Sequence, residues 1–295
     1  MKLKYILLDA FTKTAFQGAQ IAVFPSAENI NGLRKQQIAS ELNLTETVFI
    51  LPPTQAGCHA KLEIYTPQAP AGFAGHAVVA ACYVLGEENI IQGSDACVQL
   101  NDQSLNIVSG VKNHKVQISI PVNEKFDEYV PSNQELAKII GLDVNEIGWQ
   151  DYKAMVSGCP EPYLVIPVKN NQALRNAHFN ENKWQLSFVA SLARQIFLFT
   201  GEHPFEAVNF AARIAGKGVA VQEDPPIGAA AGAFGLYLAH AKNDYHRSCL
   251  VQRGDEQSRI SILEINVDKK GHEVMGIQLG GHVVKMGEGY LDIPD

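Results

Sequence analysis

Gly75-His76-Ala77-Val78-Val79-Ala80-Ala81-Cys82-Tyr83-Val84-Leu85 and Gly228-Ala229-Ala230-Ala231-Gly232-Ala233-Phe234-Gly235-Leu236-Tyr237-Leu238 are the two stretches on which the fold turns. Periodicity alone leaves each open as a buried strand or a buried helix, because no polar face interrupts either run. Their length and alanine content decide for helix. A helix that is apolar on every side must be covered on every side. The rest of the chain supplies the cover, with strand signals at Lys4–Leu8, Ile21–Phe24, Thr47–Leu51, Lys61–Tyr65, Val116–Ile120, Tyr163–Val168, Ile260–Ile265 and His282–Met286. Several alternate, as in Val116-Gln117-Ile118-Ser119-Ile120, which suits a sheet with one wet face. The economical solution is an α+β chain of two similar lobes. Each lobe is then a curved, mostly antiparallel sheet or barrel wrapped around one central apolar helix.

At 295 residues the chain passes the size at which a single core stops growing, which agrees with two lobes. The expected division is residues 1–125 with 280–295 in the first lobe and 126–279 in the second, with a crossing near Asn123–Pro131. Further helices are expected over Leu33–Leu42, before Asn43, and from the capping-box pair Ser132 and Glu135 to Gly141. Another is expected over about Trp184–Gln195. A repeat is hinted at: turns rich in small residues precede both apolar runs (Thr66–Gly75 and Glu223–Gly228), and Ala10–Phe24 and Ser157–Val168 both read as turn then strand.

Composition is that of an ordinary globular protein, 46% hydrophobic and 19% charged, with a formal net charge of −7 and no lysine–arginine cluster. Nucleic acid and anionic membrane surfaces are therefore not expected as partners. The N-terminal MKLKYILLDAFTK runs into a strand and is too short for a signal sequence, and no apolar run approaches the roughly 18 residues a membrane span needs. A cytoplasmic protein is expected. The five cysteines, Cys58, Cys82, Cys97, Cys159 and Cys249, are scattered, which fits reduced, mostly buried thiols. The nine histidines show no metal-ligand spacing, so no metal is expected.

If the two central helices present their N-termini to one site, two sets of free N–H groups converge there. Such ends bind carboxylates and stabilise the oxyanion formed when a proton leaves the carbon beside a carbonyl. The bland alternative is that Gly75 and Gly228 only make tight turns. His76 opens the first helix, and its ordinary role there is a polar group facing water. Asp224, in Glu223-Asp224-Pro225-Pro226-Ile227-Gly228, has capping as its ordinary role. Glu46 leads into Val48-Phe49-Ile50, an unusual place for a carboxylate, and one from which it could act as general acid or base.

Taken in order, these segments resemble the phenazine-biosynthesis PhzF-like family of isomerases. The likeness lies in Asp9-Ala10-Phe11-Thr12 with Phe16-Gln17-Gly18, in Asn43-Leu44-Thr45-Glu46-Thr47-Val48-Phe49, in Tyr65-Thr66-Pro67 with Phe73-Ala74-Gly75-His76-Ala77, and in Arg213 with Glu223-Asp224-Pro225 and Gly228. The resemblance implies the diaminopimelate epimerase-like fold, a homodimer, and an isomerase or epimerase that uses neither metal nor nucleotide. Its substrate would be a small carboxylate-bearing molecule, hydroxy- or amino-acid-like. It casts Glu46 as the catalytic acid/base, His76 as a substrate contact and Asp224 as the residue that completes the catalytic set. Gly18, Gly75, Gly228 and Ala229 become substrate-binding positions.

Three departures stand out. Gly18 is followed by Ala19-Gln20 where the family usually has Asn-Pro or Asn-Ser, and the E-D-P is followed by Pro226-Ile227-Gly228-Ala229 in place of x-Thr-Gly-Ser or x-Thr-Gly-Asn. Gln68-Ala69-Pro70-Ala71-Gly72 also lacks a common acidic residue. They leave open a second reading, a catalytically silent relative that binds a small molecule or a protein. A two-thiol racemase would need a cysteine in each glycine turn, where Ala74 and Pro226-Ile227 stand.

Overall fold

The computed structural model describes residues 1–92, 96–100, 103–120, 122, 125–203, 206–216, 226–241, 248–255, 258–271 and 273–293. The chain separates into two compact units. One comprises Met1–Ser119, Arg259–Ile262 and Leu279–Asp295, the other Ile120–Ser258 and Leu263–Gln278.

In the first unit β1 (Lys2–Ala10) and β2 (Ala19–Phe24) form an antiparallel hairpin, and α1 (Gly32–Leu42) crosses to β3 (Glu46–Leu51), parallel to β2. β4 (Ala60–Tyr65) returns antiparallel to β3 and carries the two-residue β5 (Pro70–Ala71). α2 (Gly75–Glu87) then crosses to β6 (Ala96–Leu100), parallel to β4, and β7 (Gln103–Lys112) and β8 (Lys115–Ile120) follow as antiparallel neighbours.

The second unit continues with β9 (Lys125–Asp127), α3 (Asn133–Ile140), β10 (Met155–Gly158), β11 (Pro162–Pro167), α4 (Asn171–Asn176) and α5 (Glu181–Gln185). It is completed by β12 (Gln195–Thr200), β13 (Phe210–Gly216), α6 (Ala231–Ala241), β14 (Ser248–Arg253) and most of β15 (Ser261–Lys270). The last strand, β16 (Glu273–Asp292), is 20 residues long. Its portion from Leu279 onward belongs to the first unit, where it hydrogen-bonds both β1 and β8. The strand circuit of that unit is thereby closed, which removes the edges of an open sheet.

The two units repeat one pattern. From β1 to β6 the pairings run antiparallel, parallel, antiparallel, parallel, and from β10 through β11, β12 and β13 to β14 they run the same way. In both, the second parallel step is made by the apolar helix. α2 is buried from Gly75 to Leu85 and packs on β1, β2, β3, β4 and β7. α6 is buried from Ala231 to Ala239 and packs on β10 and β11. Its Phe234 lies 4.8 Å from Phe197, 5.0 Å from Phe199 and 5.4 Å from Phe210, measured between ring centroids. A Cβ at Gly232 would collide with the Cys159 carbonyl, so glycine lets β10 and the turn after it lie directly on the helix.

Period-2 alternation explains the outer layers. In β12, Phe197 and Phe199 turn toward α6, while Ile196 and Leu198 join Leu136, Ile139, Ile140, Leu174 and Trp184 beneath α3, α4 and α5. In the first unit Phe24, Phe49 and Tyr65 face α1 through Ile38 and Ala39. The caps follow the sequence: Asn31 accepts from the Arg34 N–H, Asn43 ends α1 in the left-handed region, and Ser132 and Glu135 form the reciprocal box of α3 with Gly141 closing it.

Two expectations need correction. No helix spans Trp184–Gln195: α5 stops at Gln185, a 3-10 turn covers Phe188–Ser191, and Gln195 already opens β12. Leu186, Phe188 and Leu192 are exposed, so the run has no continuous apolar face to bury as a helix, and β11 and β13 claim the aromatic stretch behind it. Gly228 does not open the second α-helix either. It opens a 3-10 turn, Gly228–Ala230, and α6 begins at Ala231. Among the described residues no helix is long and apolar enough to cross a membrane.

Candidate active site

Strand directions bring several of the expected residues to one end of the first unit. The β1–β2 hairpin turns between Ala10 and Ala19, and parallel pairing of Ile21 with Glu46 sets the start of β3 beside that turn. Antiparallel pairing of Thr47 with Tyr65 brings the end of β4 to the same level, and the chain reaches Gly75 ten residues later. Gly18, Glu46, Gly75 and His76 therefore share one end of the barrel by register alone.

There, His76 Nε2 and Glu46 Oε2 form a short hydrogen bond. Glu46 is 8% exposed and His76 2%, so the pair is shielded from bulk water. The other ring nitrogen of His76, Nδ1, is buried without a hydrogen-bond partner among the described residues. Buried polar atoms in native proteins nearly always have partners, and an exception calls for an explanation such as catalysis. Ala74, the residue preceding α2, has no side chain that can cap, so the N–H groups of the first turn receive no side-chain acceptor from it. A buried carboxylate, an imidazole and the positive end of a 13-residue helix are thus assembled within a few residues.

The turn above them is held by a network that sequence reading missed. Arg259 donates from Nε to the Gly18 carbonyl at 2.9 Å and from Nη2 to the Gln17 carbonyl at 2.9 Å, and it pairs with Asp9. Asp9 accepts the Phe16 N–H at 2.8 Å, and Gln17 Oε1 accepts the Ile260 N–H at 2.6 Å. Burial raises the Asp9 carboxyl above its usual range, against the opposing pull of the Phe16 N–H and Arg259. Gly18, with φ +74° and its Cβ position occupied by the Ala10 carbonyl, could not be another residue without moving the turn. Phe16 is 74% exposed at φ 67°, a conformation rare for a bulky side chain. Asp9, Phe16 and Gln17 were visible as a motif. Arg259 lay in no motif, and long-range bonds bring it there, Gly18 N–H to the Ile260 carbonyl and Ile262 N–H to the Phe11 carbonyl among them.

In the second unit Gly228 and Ala229 make the turn before α6, with Ile227 buried beside them. Asp224 lies outside the described residues. Ala19, the first departure from the family motif, begins β2 opposite Ala10 and is buried. A surface groove of about 720 Å³ along α1, lined by Arg34, Ser40, Glu41 and Leu291 among others, contains none of the candidate residues.

Residues 8–289 match the family model of the phenazine biosynthesis-like proteins. The chain belongs to that family. A trans-2,3-dihydro-3-hydroxyanthranilate isomerase of Pseudomonas aeruginosa is 27% identical to this phenazine biosynthesis-like protein, over 97% of this chain and 98% of the relative. An uncharacterized isomerase of Mesorhizobium japonicum is 28% identical over 98% of both chains. The crystal structure of the Bacillus anthracis phenazine biosynthesis protein of the PhzF family superposes with a TM-score of 0.86 at 22% identity, covering 99% of this chain and 100% of that one. The mixed α+β architecture of this phenazine biosynthesis-like protein is thus that of the PhzF family.

Proposed function

We propose that this protein is a cofactor-independent isomerase or epimerase that moves a proton on a small carboxylate-bearing substrate, with Glu46 as general acid and base. The buried Glu46–His76 pair at the N-terminus of α2 carries the reading. Glu46 takes a proton from a carbon activated by a neighbouring carboxylate or carbonyl and returns it to a second carbon, or to the opposite face of the first. Between the two transfers, negative charge sits on the substrate oxygens, and the N–H groups of Gly75 and the residues after it stabilise that charge. His76 holds the carboxylate of Glu46 in place through Nε2 and offers Nδ1 to the substrate. Asp224, Gly18, Gly228 and Ala229 join the set by their place in the motif. The isomerase names of relatives aligned over almost the whole chain support the reaction class.

The test is solvent deuterium incorporation into a panel of hydroxy and amino acids that includes trans-2,3-dihydro-3-hydroxyanthranilate. Wild type incorporates deuterium into at least one, and Glu46→Gln slows this by about 10²–10⁴. Equal exchange by both proteins removes Glu46 as the base. No exchange by wild type across the panel favours the silent relative. A homodimer is proposed on the family resemblance, and a monomer mass in sedimentation would remove it.

A further inference from the structure

Cys58 and Cys97 face one another with their Sγ atoms 2.6 Å apart. That is closer than two unbonded sulfurs approach in van der Waals contact, and longer than the S–S bond of about 2.0 Å. The backbone explains the approach. β4 and β6 are parallel neighbours with Ala60 opposite Val98, so the register sets His59 opposite Cys97, with Cys58 one residue earlier in the segment that leads into β4. The Cys97 carbonyl accepts the His59 N–H at 2.8 Å, and the Cys97 N–H donates to His59 Nδ1 at 3.2 Å, which fixes this register. Neighbouring strands lie about 4.8 Å apart, inside the Cα separation a disulfide spans.

We propose that Cys58 and Cys97 are a dithiol that closes reversibly to a disulfide when it meets an oxidised low-molecular-weight disulfide such as oxidised glutathione. One cysteine, as thiolate, attacks the reagent and releases one small thiol. The second, losing its proton to solvent, attacks the sulfur of the mixed disulfide and releases the other. Two protein thiols are oxidised to one S–S bond and one reagent disulfide is reduced to two thiols. Burial and its hydrogen bond with Cys58 raise the Cys97 thiol, against the opposing pull of Ser104. The pair is half-buried and within reach of a reagent, whereas Cys82, Cys159 and Cys249 are buried. Burial alone pushes the Cys82 thiol up to about 12, and burial with the Glu264 charge does the same for Cys249. Selectivity for one pair among five thiols follows.

The link would enclose β4, the turn before Gly75 and the whole of α2. It would sit at the Ala60 end of β4, while Glu46 and His76 stand at the Tyr65 end. Oxidation should therefore stiffen the helix crossover without entering the candidate active site.

Reduced full-length protein is incubated with excess oxidised glutathione and its thiols are titrated after unfolding. The expected result is a fall from five thiols to three, an intact mass lower by two hydrogens, and a peptide joining Cys58 to Cys97. Dithiothreitol should restore all five, and the oxidised form should melt at the higher temperature. Cys58→Ser and Cys97→Ser, each checked for fold by circular dichroism, should both lose the link and the melting shift. Wild type that keeps five thiols on prolonged incubation, that gains only a glutathione adduct, or that links between molecules would overturn the proposal. These readouts use no substrate, so they stand or fall independently of the proposed reaction.

Discussion

α2 and α6 occupy the same step of the same strand pattern, yet the ends of the two helices are furnished differently. In the first unit the strand entering beside the helix begins with Glu46, and the second residue of the helix is His76. In the second unit the strand at the matching step, β12, begins with Gln195, and the turn before the helix presents Gly228 and Ala229. One half of the repeated frame thus holds a buried carboxylate–imidazole pair, and the corresponding described places of the other hold an amide and small residues. The helix bodies differ too. α2 is lined with alanine and valine, whereas α6 places Phe234 among Phe197, Phe199 and Phe210.

The largest effect should separate the two strand openings. Glu46→Gln is expected to slow proton exchange by about 10²–10⁴, while Gln195→Ala at the matching position changes it by less than about 10-fold. A comparable loss from Gln195→Ala would show that the second unit also carries chemistry at that place.

Next comes the difference between the helix bodies. Phe234→Ala should cost about 3–5 kcal/mol in urea unfolding, against about 2 kcal/mol for Val79→Ala, because the larger side chain leaves the larger cavity. Equal costs would mean that the core around α6 collapses to fill the space.

The outer layers give a third contrast. Beneath α1 the first unit adds to its apolar cluster a buried Lys35, paired with Glu63 at 2.8 Å. Burial alone would raise Glu63, but hydrogen bonds and charge from Lys35 and Lys61 outweigh it and hold the carboxyl below its ordinary value. A carboxylate lowered on folding contributes stability in full above its unfolded pKa and loses it as pH falls through the folded one. Acid should therefore loosen α1, visible as faster amide hydrogen exchange in that helix as pH falls. Glu63→Gln should cost about 1–3 kcal/mol at neutral pH and flatten that dependence. Exchange in α1 that does not rise in acid would place the acid sensitivity elsewhere.

The smallest effect concerns the caps. Ser132→Ala breaks a reciprocal box and should cost about 1–2 kcal/mol, while Asn31→Ala, which loses one bond, should cost about 0.5–1 kcal/mol. Urea midpoints in the reverse order would mean that packing, not capping, sets the stability of these ends.

What the sequence disclosed was mostly local. The apolar runs declared buried helices because no polar face competed, and Ser132, Glu135 and Gly141 marked α3 because capping is decided within a turn. The helix read through Trp184 failed because the aromatic stretch from Gln195 is committed by pairing with β11 and β13, a non-local choice. Only His282–Met286 of β16 was legible, since Gly276, Gly280, Gly281, Gly287 and Gly289 break the alternation that reads as a strand. At the site, Glu46 and His76 were each visible, and the family resemblance set them close together, but the hydrogen bond between them depends on three pairings between separate strands that no local pattern discloses. Arg259 was invisible for the same reason, standing 250 residues from its partner Asp9.

The closing of the first unit by β16 has a consequence for how the protein is made. Synthesis delivers β1 to β8 early, but the segment that seals them, from Leu279 onward, leaves the ribosome after all of the second unit. Until then β1 and β8 each present an open row of backbone groups, and the barrel around α2 is incomplete. The second unit, though encoded later, has the remainder of its strands before the seal arrives, so it can finish folding first. The half that carries Glu46 and His76 is therefore the last to be completed, and a nascent chain halted before Leu279 would expose the strand edges that invite mispairing.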